Sequence, residues 1–293
     1  DPADLIWLDP QDVIAGALYR LRLPQGTDLV TLGALPYSYL ALQLRLRAAG
    51  FAVTVHDYDW RMNLTDLAAA FVARLRADPA PAIAIVAHSM GGLIARSALG
   101  APDLERVRRL ITLGTPHGGS YGAVQALRGT YSVVRRLAAL DRLHDAEALS
   151  SDVFNTFPSI HQLVPGRSTS QHADLFDIRN WPAGGPRPDA RLLQEARAFR
   201  STLPDQDERY IAIAGTQQRT VTGLKFVDDE FHYDVSNAGD GTVALDHAQL
   251  PGCRNYYVRC EHSALPRSPT VARAVLELLR QGHTTRLATR PGL

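Results

Sequence analysis

The stretch Ala87-His88-Ser89-Met90-Gly91-Gly92 decides the fold. It follows residues 83–87, an apolar run as long as a buried strand, and it leads into an apolar pattern at helical spacing over residues 91–99. A serine between a strand and a helix, with small residues on both sides, is typical of a nucleophile elbow. Ala87 stands where the G-x-S-x-G pattern has its first glycine, and it adds little bulk to the turn.

This pattern predicts a role for two neighbouring residues. The turn would point the Ser89 hydroxyl out of the carboxyl end of the sheet, and the backbone N–H of Met90 would face an oxyanion. The alternative interpretation is a serine that only caps the helix after it.

Short apolar runs alternate with helical patterns on both sides of this stretch, which indicates an α/β fold with a mostly parallel sheet flanked by helices. Strands are predicted at residues 29–32, 51–58, 83–87, 110–113, 210–214 and 256–258. Helices are predicted at residues 37–48, 64–75, 91–99 and 269–281, the last with Ser268 as its cap and Gly282 at its end.

The alternation stops between His117 and Leu203. This segment contains helical stretches and turn clusters, and a structureless loop of that length is unusual in a compact domain. We therefore predict a core built from residues 1–116 and 206–293, with residues 117–205 inserted as a mainly helical cap over one end of the sheet.

Composition limits the function classes. The chain has 293 residues, 31 basic and 30 acidic side chains, and 45% hydrophobic residues, which excludes disorder, collagen and a disulfide scaffold. The balanced charge argues against nucleic-acid binding. No transmembrane run or signal peptide is recognisable, so a soluble protein of unknown compartment is expected. Metal-binding motifs are absent from the sequence, and no cofactor is implied.

A serine nucleophile needs a histidine base and an acid, in the chain order Ser, Asp or Glu, His. Asp240 lies in a glycine-flanked loop after the strand at 210–214, and His262 follows the strand at 256–258. Both residues also have ordinary explanations, since turn aspartates bond their own backbone and surface histidines are common. The competing candidates are Asp234 and Asp246 for the acid and His247 for the base.

These residues and several flanking motifs resemble the lecithin:cholesterol acyltransferase-like group of α/β hydrolases, which includes lysosomal phospholipase A2 and many bacterial lipase-like proteins. The similar segments span nearly the whole chain: Ile6-Trp-Leu-Asp-Pro10, Tyr58-Asp-Trp-Arg61, His88-Ser-Met-Gly-Gly92, Leu113-Gly-Thr-Pro-His-Gly-Gly-Ser120 and Gly239-Asp-Gly-Thr-Val243.

The resemblance implies an α/β-hydrolase fold with Ser89, Asp240 and His262 as the triad, and a cap of residues 117–205 over a lipid-binding groove. It also implies that residues 58–61 lie near the site, although a buried Trp beside a paired Arg is an equally good structural interpretation. Direct chemistry by His117 is a minor alternative to a turn beside the site.

The family usually begins with a strand and a glycine-containing loop that supplies the second oxyanion N–H. No such loop precedes Trp7, and Leu32-Gly-Ala-Leu-Pro36 is the candidate substitute. We therefore expect an upstream segment, removed by trimming or present as a separate chain, to complete the sheet.

The sequence thus predicts a serine hydrolase that cleaves carboxylic esters of lipids through an acyl-enzyme. Its partners would be the lipid or ester substrate and, transiently, a membrane surface at the cap. The alternatives are a lipid acyltransferase that uses the same acyl-enzyme, and a non-catalytic binding or effector module that keeps the fold.

Overall fold

The computed structural model describes residue 6 and residues 9–24, 29–166 and 174–292. Its strands are Ile83–His88 (β1), Val107–Leu113 (β2), Tyr210–Thr216 (β3), Thr220–Val227 (β4), Glu230–Ser236 (β5) and Arg254–Arg259 (β6). Its α-helices are Pro10–Ile14 (α1), Pro36–Ala48 (α2), Leu64–Ala77 (α3), Met90–Ala98 (α4), Tyr121–Leu127 (α5), Ser132–Leu140 (α6), Ala146–Asp152 (α7), Pro158–Gln162 (α8), Ala190–Thr202 (α9), Leu245–Ala248 (α10) and Pro269–Gln281 (α11). Short 3₁₀ turns lie at Ala17–Leu21, Phe154–Thr156, Ile178–Asn180 and His262–Arg267.

Four of the strands form one parallel sheet in the spatial order β1, β2, β3, β6. One row of paired residues crosses the whole sheet at His88, Leu113, Ile213 and Tyr256. Because the strands run in the same direction, the segments that follow them meet at one edge. The predicted parallel sheet is confirmed, and this edge is where the candidate site residues lie.

Helices cover both faces of the sheet. Successive side chains of a strand point to opposite faces, and apolar residues of these strands lie on both faces. In β3, Tyr210 and Ala212 pack into a cluster with α3 and α4, whereas Ile211 and Ile213 pack into a second cluster with α2 and α11. The sheet therefore forms the middle of three layers, and the predicted α/β class holds.

The ends of α11 show how local sequence sets an element. The Ser268 hydroxyl accepts a hydrogen bond from the Val271 N–H, Pro269 occupies the first helical position, and Gly282 adopts the left-handed conformation at the end. These are the cap positions that the sequence predicts.

Two predicted strands are wrong. Residues 29–32 and 51–58 pair with no strand in the described part of the chain, and β1 is accordingly an edge strand there. The partly buried Phe51 and Val53 pack against the cluster of α2 and α11. The alternating pattern over 51–55 therefore reflects an extended chain with one apolar side, without a hydrogen-bonded ladder.

The segment between β2 and β3 is mainly helical in its described residues and has its own apolar cluster. Phe157 and Trp181 are buried in this cluster, which also takes in Leu18 near the start of the chain and Leu224 of β4. The antiparallel hairpin of β4 and β5, which the sequence analysis does not predict, packs against the same helices. No helix in the described ranges is both long and apolar enough to cross a membrane.

Candidate active site

Ser89 occupies a strained turn between β1 and α4. Its backbone has φ 54° and ψ −132°, a region that a non-glycine residue adopts at a cost of about 1–3 kcal/mol. Its N–H donates to the Leu113 carbonyl at 2.9 Å, and its carbonyl accepts from the Thr115 hydroxyl at 2.9 Å. Hydrogen bonds from the neighbouring strand thus hold the turn on both sides of the serine.

The small residues after Ser89 let other side chains approach. A Cβ atom at Gly92 would overlap the Thr115 hydroxyl that holds the turn. A Cβ at Gly91 would lie 3.3 Å from the Tyr58 hydroxyl, and burial raises the pKa of that phenol. Close packing therefore requires a glycine at position 92 and leaves little room for a side chain at position 91.

His262 lies between Ser89 and Asp240. Its Nε2 is 2.9 Å from the Ser89 Oγ, and its Nδ1 is 2.7 Å from the Asp240 Oδ2. Because a carboxylate only accepts, Nδ1 carries the hydrogen and Nε2 is left to accept the serine proton. This Ser–His–Asp arrangement can generate a nucleophile from a neutral hydroxyl.

The Asp240 carboxylate is fixed by its own loop and is 1% exposed. Its Oδ1 accepts backbone N–H bonds from Thr242 at 3.0 Å and Val243 at 2.7 Å, which leaves Oδ2 for the imidazole. The Asp240 carbonyl also accepts the His262 N–H at 2.8 Å. The acid therefore orients both the ring and the backbone of the histidine.

Two glycines at the ends of neighbouring strands make room for this pair. A Cβ at Gly114, which has φ 58°, would lie 3.0 Å from the Asp240 Oδ2 and 3.1 Å from the His262 Nδ1. A Cβ at Gly215 would lie 2.6 Å from the Asp240 Cβ. A larger residue at either position would push the carboxylate away from the ring.

The structure also brings in two residues that sequence reasoning missed. His88 Nε2 lies 3.0 Å from the His262 carbonyl, and the Tyr39 hydroxyl of α2 lies 3.0 Å from His88 Nδ1. Burial and the neighbouring His262 lower the pKa of His88 to about 3. In the sequence, only the position of His88 directly before the serine could have pointed to it, and no local pattern points to Tyr39.

The competing acids and base make other contacts. Asp234 pairs with Lys225 at 3.2 Å on the hairpin, and Asp246 is exposed and accepts the N–H of its neighbour His247. The buried ring of His247 stacks on Tyr121 at 5.2 Å between centroids. These contacts of Asp234, Asp246 and His247 are with residues other than Ser89.

Two further residues that the sequence analysis singled out, His117 and Arg61, are buried. His117 is buried, and burial lowers its pKa to about 3, as do the nearby Arg96 and Arg200. Arg61 is buried in a bidentate pair with Asp59 and donates to the Leu21 carbonyl at 2.9 Å, so it joins the start of the chain to the core.

The two proposed sources of oxyanion N–H donors are Met90 and the segment 32–36, and the role of both stays a prediction. Met90 is the first residue of α4, where backbone N–H groups have no partner within the helix. Residues 32–36 lead into α2, the helix that carries Tyr39. Within the described residues, no three His, Cys, Asp or Glu side chains are grouped closely enough to hold a metal ion.

A parallel sheet with helices on both faces and a serine in a sharp strand-to-helix turn define the α/β-hydrolase fold. Residues 62–155 match the family described as "PGAP1-like alpha/beta domain", which covers the turn at Ser89 and part of the helical segment. No curated protein sequence matches the chain.

Three solved structures match the chain at low sequence identity. The Tle4–Tli4 complex matches with a TM-score of 0.51 and 15% identity, over 74% of this chain and 66% of that one. The mature form of Bacillus licheniformis lipase BlEst2 has a TM-score of 0.42 and 18% identity, over 76% of each chain. The metagenomic carboxyl esterase MGS0156 has a TM-score of 0.43 and 16% identity, over 88% of this chain and 75% of that one. Of these three, the Tle4–Tli4 complex has a TM-score above 0.5, and at 15% identity that likeness concerns the fold alone.

Proposed function

We propose that this protein is a serine hydrolase that cleaves carboxylic esters of lipids. The observation that carries the proposal is the continuous hydrogen-bonded series from the Ser89 Oγ to His262 Nε2, at 2.9 Å, and from His262 Nδ1 to Asp240, at 2.7 Å. A serine that merely capped α4 would bond to that helix, yet its side chain makes no cap hydrogen bond there.

In the proposed reaction, the first half transfers the acyl group of the ester to Ser89. The Ser89 oxygen attacks the ester carbonyl while His262 Nε2 takes its proton, and Asp240 stabilises the imidazolium that forms. The Met90 N–H donates to the negatively charged carbonyl oxygen of the tetrahedral intermediate. His262 then gives its proton to the leaving alcohol, and an acyl-enzyme remains on Ser89.

Hydrolysis completes the cycle. Water attacks the acyl carbonyl while His262 takes a proton from it. The second tetrahedral intermediate then breaks its bond to the Ser89 oxygen, His262 returns the proton to that oxygen, and the carboxylic acid is released. A lipid alcohol in place of water would give acyl transfer through the same intermediate, as in the lecithin:cholesterol acyltransferase-like group that the sequence resembles.

An exposed apolar surface supports a lipid substrate. It lies on the chain entering α2 and on one face of that helix, and it consists of Val30, Leu32, Leu35, Tyr37, Leu40 and Leu44. Tyr37 is 79% exposed, and Tyr39 of the same helix contacts His88 next to the serine. Large exposed apolar patches commonly mark a ligand groove or an interface. We propose that residues 117–205 act as the cap beside this surface.

A chain-length series tests the proposal. Hydrolysis of p-nitrophenyl esters from acetate to palmitate is measured for the wild type and for Ser89→Ala, with Ser97→Ala of α4 as the matched control. We expect turnover in the wild type and the control, a preference for longer acyl chains, and no turnover in Ser89→Ala. A wild type without turnover on every ester would favour a non-catalytic module. Ester formation with an added long-chain alcohol would favour acyl transfer.

A further inference from the structure

His88 connects the nucleophile turn to the backbone of the proposed base. It is the last residue of β1 and precedes Ser89. The centroid of its ring lies 4.8 Å from the centroid of the His262 ring, and its Nε2 lies 3.0 Å from the His262 carbonyl oxygen. This partly buried polar contact joins residues 174 positions apart, so it depends on the tertiary fold.

The direction of each hydrogen bond on His88 is determined by its partner. A carbonyl only accepts, so Nε2 carries the hydrogen and donates to His262. Nδ1 is then an acceptor, and it receives the Tyr39 hydroxyl at 3.0 Å. Burial raises the pKa of Tyr39, which keeps the phenol a donor. The His262 carbonyl therefore fixes the neutral tautomer of His88, and the Tyr39 hydroxyl completes that tautomer by donating to its free nitrogen.

Neutrality of His88 matters because His262 becomes an imidazolium during the reaction. The ionisable groups around His88 are Tyr39, His262 and Asp240. Burial, together with the neighbouring His262, lowers the pKa of His88 to about 3, so no second positive charge opposes the protonated base. A lysine or arginine donor at this place would add such a charge.

Both backbone groups of residue 262 are consequently anchored. Its N–H donates to the Asp240 carbonyl at 2.8 Å, and its carbonyl accepts from His88. A misplacement of a catalytic group by about 1 Å can cost about 100-fold in rate. We propose that His88, oriented by Tyr39, is a positioning residue that holds the His262 backbone in register with Ser89. This inference rests on the proposed function.

Amide variants of different length provide the test. His88→Gln places a donor near the position of Nε2, whereas His88→Asn reaches only the position of Nδ1 and His88→Phe has no donor. We expect kcat for a short ester to fall about 10–100-fold in the Asn and Phe variants, with KM unchanged, and to return to within about threefold of the wild type in Gln. Tyr39→Phe should give a smaller loss, and His232→Phe, at an exposed position of the hairpin, should give none.

A spectroscopic readout separates this inference from the proposed function. The Nδ1–H of His262, bonded to Asp240, should give a low-field proton resonance whether or not any ester is turned over. It should be present in the wild type and in Gln, and it should broaden or shift in Asn and Phe. A wild type without turnover would refute the proposed function and leave this comparison valid. Wild-type kcat and resonance in the Asn or Phe variant, or equal impairment of Gln and Asn, would overturn the positioning role.

Discussion

Replacing Asp240 by asparagine should remove catalysis by forcing the wrong tautomer on His262. In the wild type, Oδ1 accepts two backbone N–H bonds and Oδ2 accepts the His262 Nδ1–H. Asparagine has one acceptor oxygen, and keeping both backbone bonds turns its NH₂ group toward Nδ1. The ring then accepts at Nδ1 and carries its hydrogen on Nε2, so it cannot take the proton of Ser89.

The change of tautomer on His262 sets the size of the expected loss in kcat. The corresponding asparagine variant of a serine protease loses about 10⁴-fold in kcat, which corresponds to about 5 kcal/mol of transition-state stabilisation. Because both backbone bonds to the loop are kept, we expect the free energy of unfolding to change by less than about 2 kcal/mol.

Initial rates on a short p-nitrophenyl ester and thermal melts by circular dichroism measure both quantities. Asp246→Asn is the matched control, since that exposed carboxylate accepts only from the adjacent backbone. Retention of more than about a tenth of the wild-type kcat by Asp240→Asn would refute the reasoning. So would a loss of activity that is matched by loss of the folded state.

Two further predictions concern stability. Burial lowers the pKa of His88 and of His117 to about 3, and the pKa of His161 to about 4. As the pH falls below about 6.5, these histidines therefore bind protons in the unfolded chain before they do so in the folded protein. Together they should lower the free energy of unfolding by about 4 kcal/mol for each unit by which the pH is lowered between about pH 6 and pH 4.5, as measured by urea unfolding. Gly92→Ala should destabilise the fold by about 1–3 kcal/mol because its Cβ overlaps a hydroxyl, whereas Gly184→Ala, which has open space, should not.

Each of these predictions has a clear contrary result. His161→Leu should reduce the pH slope by about 1.4 kcal/mol per pH unit, the contribution of one proton. A stability that stays constant from pH 6 to pH 4.5 would mean that the histidines are not buried as neutral groups. Equal melting temperatures for Gly92→Ala and the wild type would show that the turn can relax around an added methyl group.

Much of the sheet could be predicted because its signals are local. The strands β1, β2 and β3 are short apolar runs. Ser268 and Gly282 lie at the two ends of α11, where a side-chain cap and a left-handed residue are favoured. The runs at 29–32 and 51–58 look similar in sequence, but a strand needs a partner, and pairing depends on residues far away in the chain. The hairpin of β4 and β5 was missed because its turn uses Asp228 and Asp229, both with positive φ, in place of the usual glycine.

The candidate site likewise contains residues that the sequence predicts and contacts that it does not. Ser89 and His262 follow β1 and β6 of the parallel sheet in a recognisable chain order. Asp240 follows the hairpin of β4 and β5 and returns to the same edge, where it bridges to Gln218 just beyond β3. The bond between Tyr39 and His88 joins a helix to a strand that is distant in sequence, so no local pattern carries it. Contact of the cap with a membrane surface, and completion of the sheet by an upstream segment or a separate chain, stay predictions.

Labelling with a fluorophosphonate tests the central claim most directly, because the reagent reports an activated serine without any assumption about the acyl chain or head group. The native chain is treated with the probe and digested, and the modified residue is located by mass spectrometry. We predict a single modified residue, Ser89, and no labelling of Ser89→Ala, of the unfolded chain or, at the same exposure time, of Asp240→Asn. An unlabelled native protein, or a label that persists in Ser89→Ala, would contradict the account.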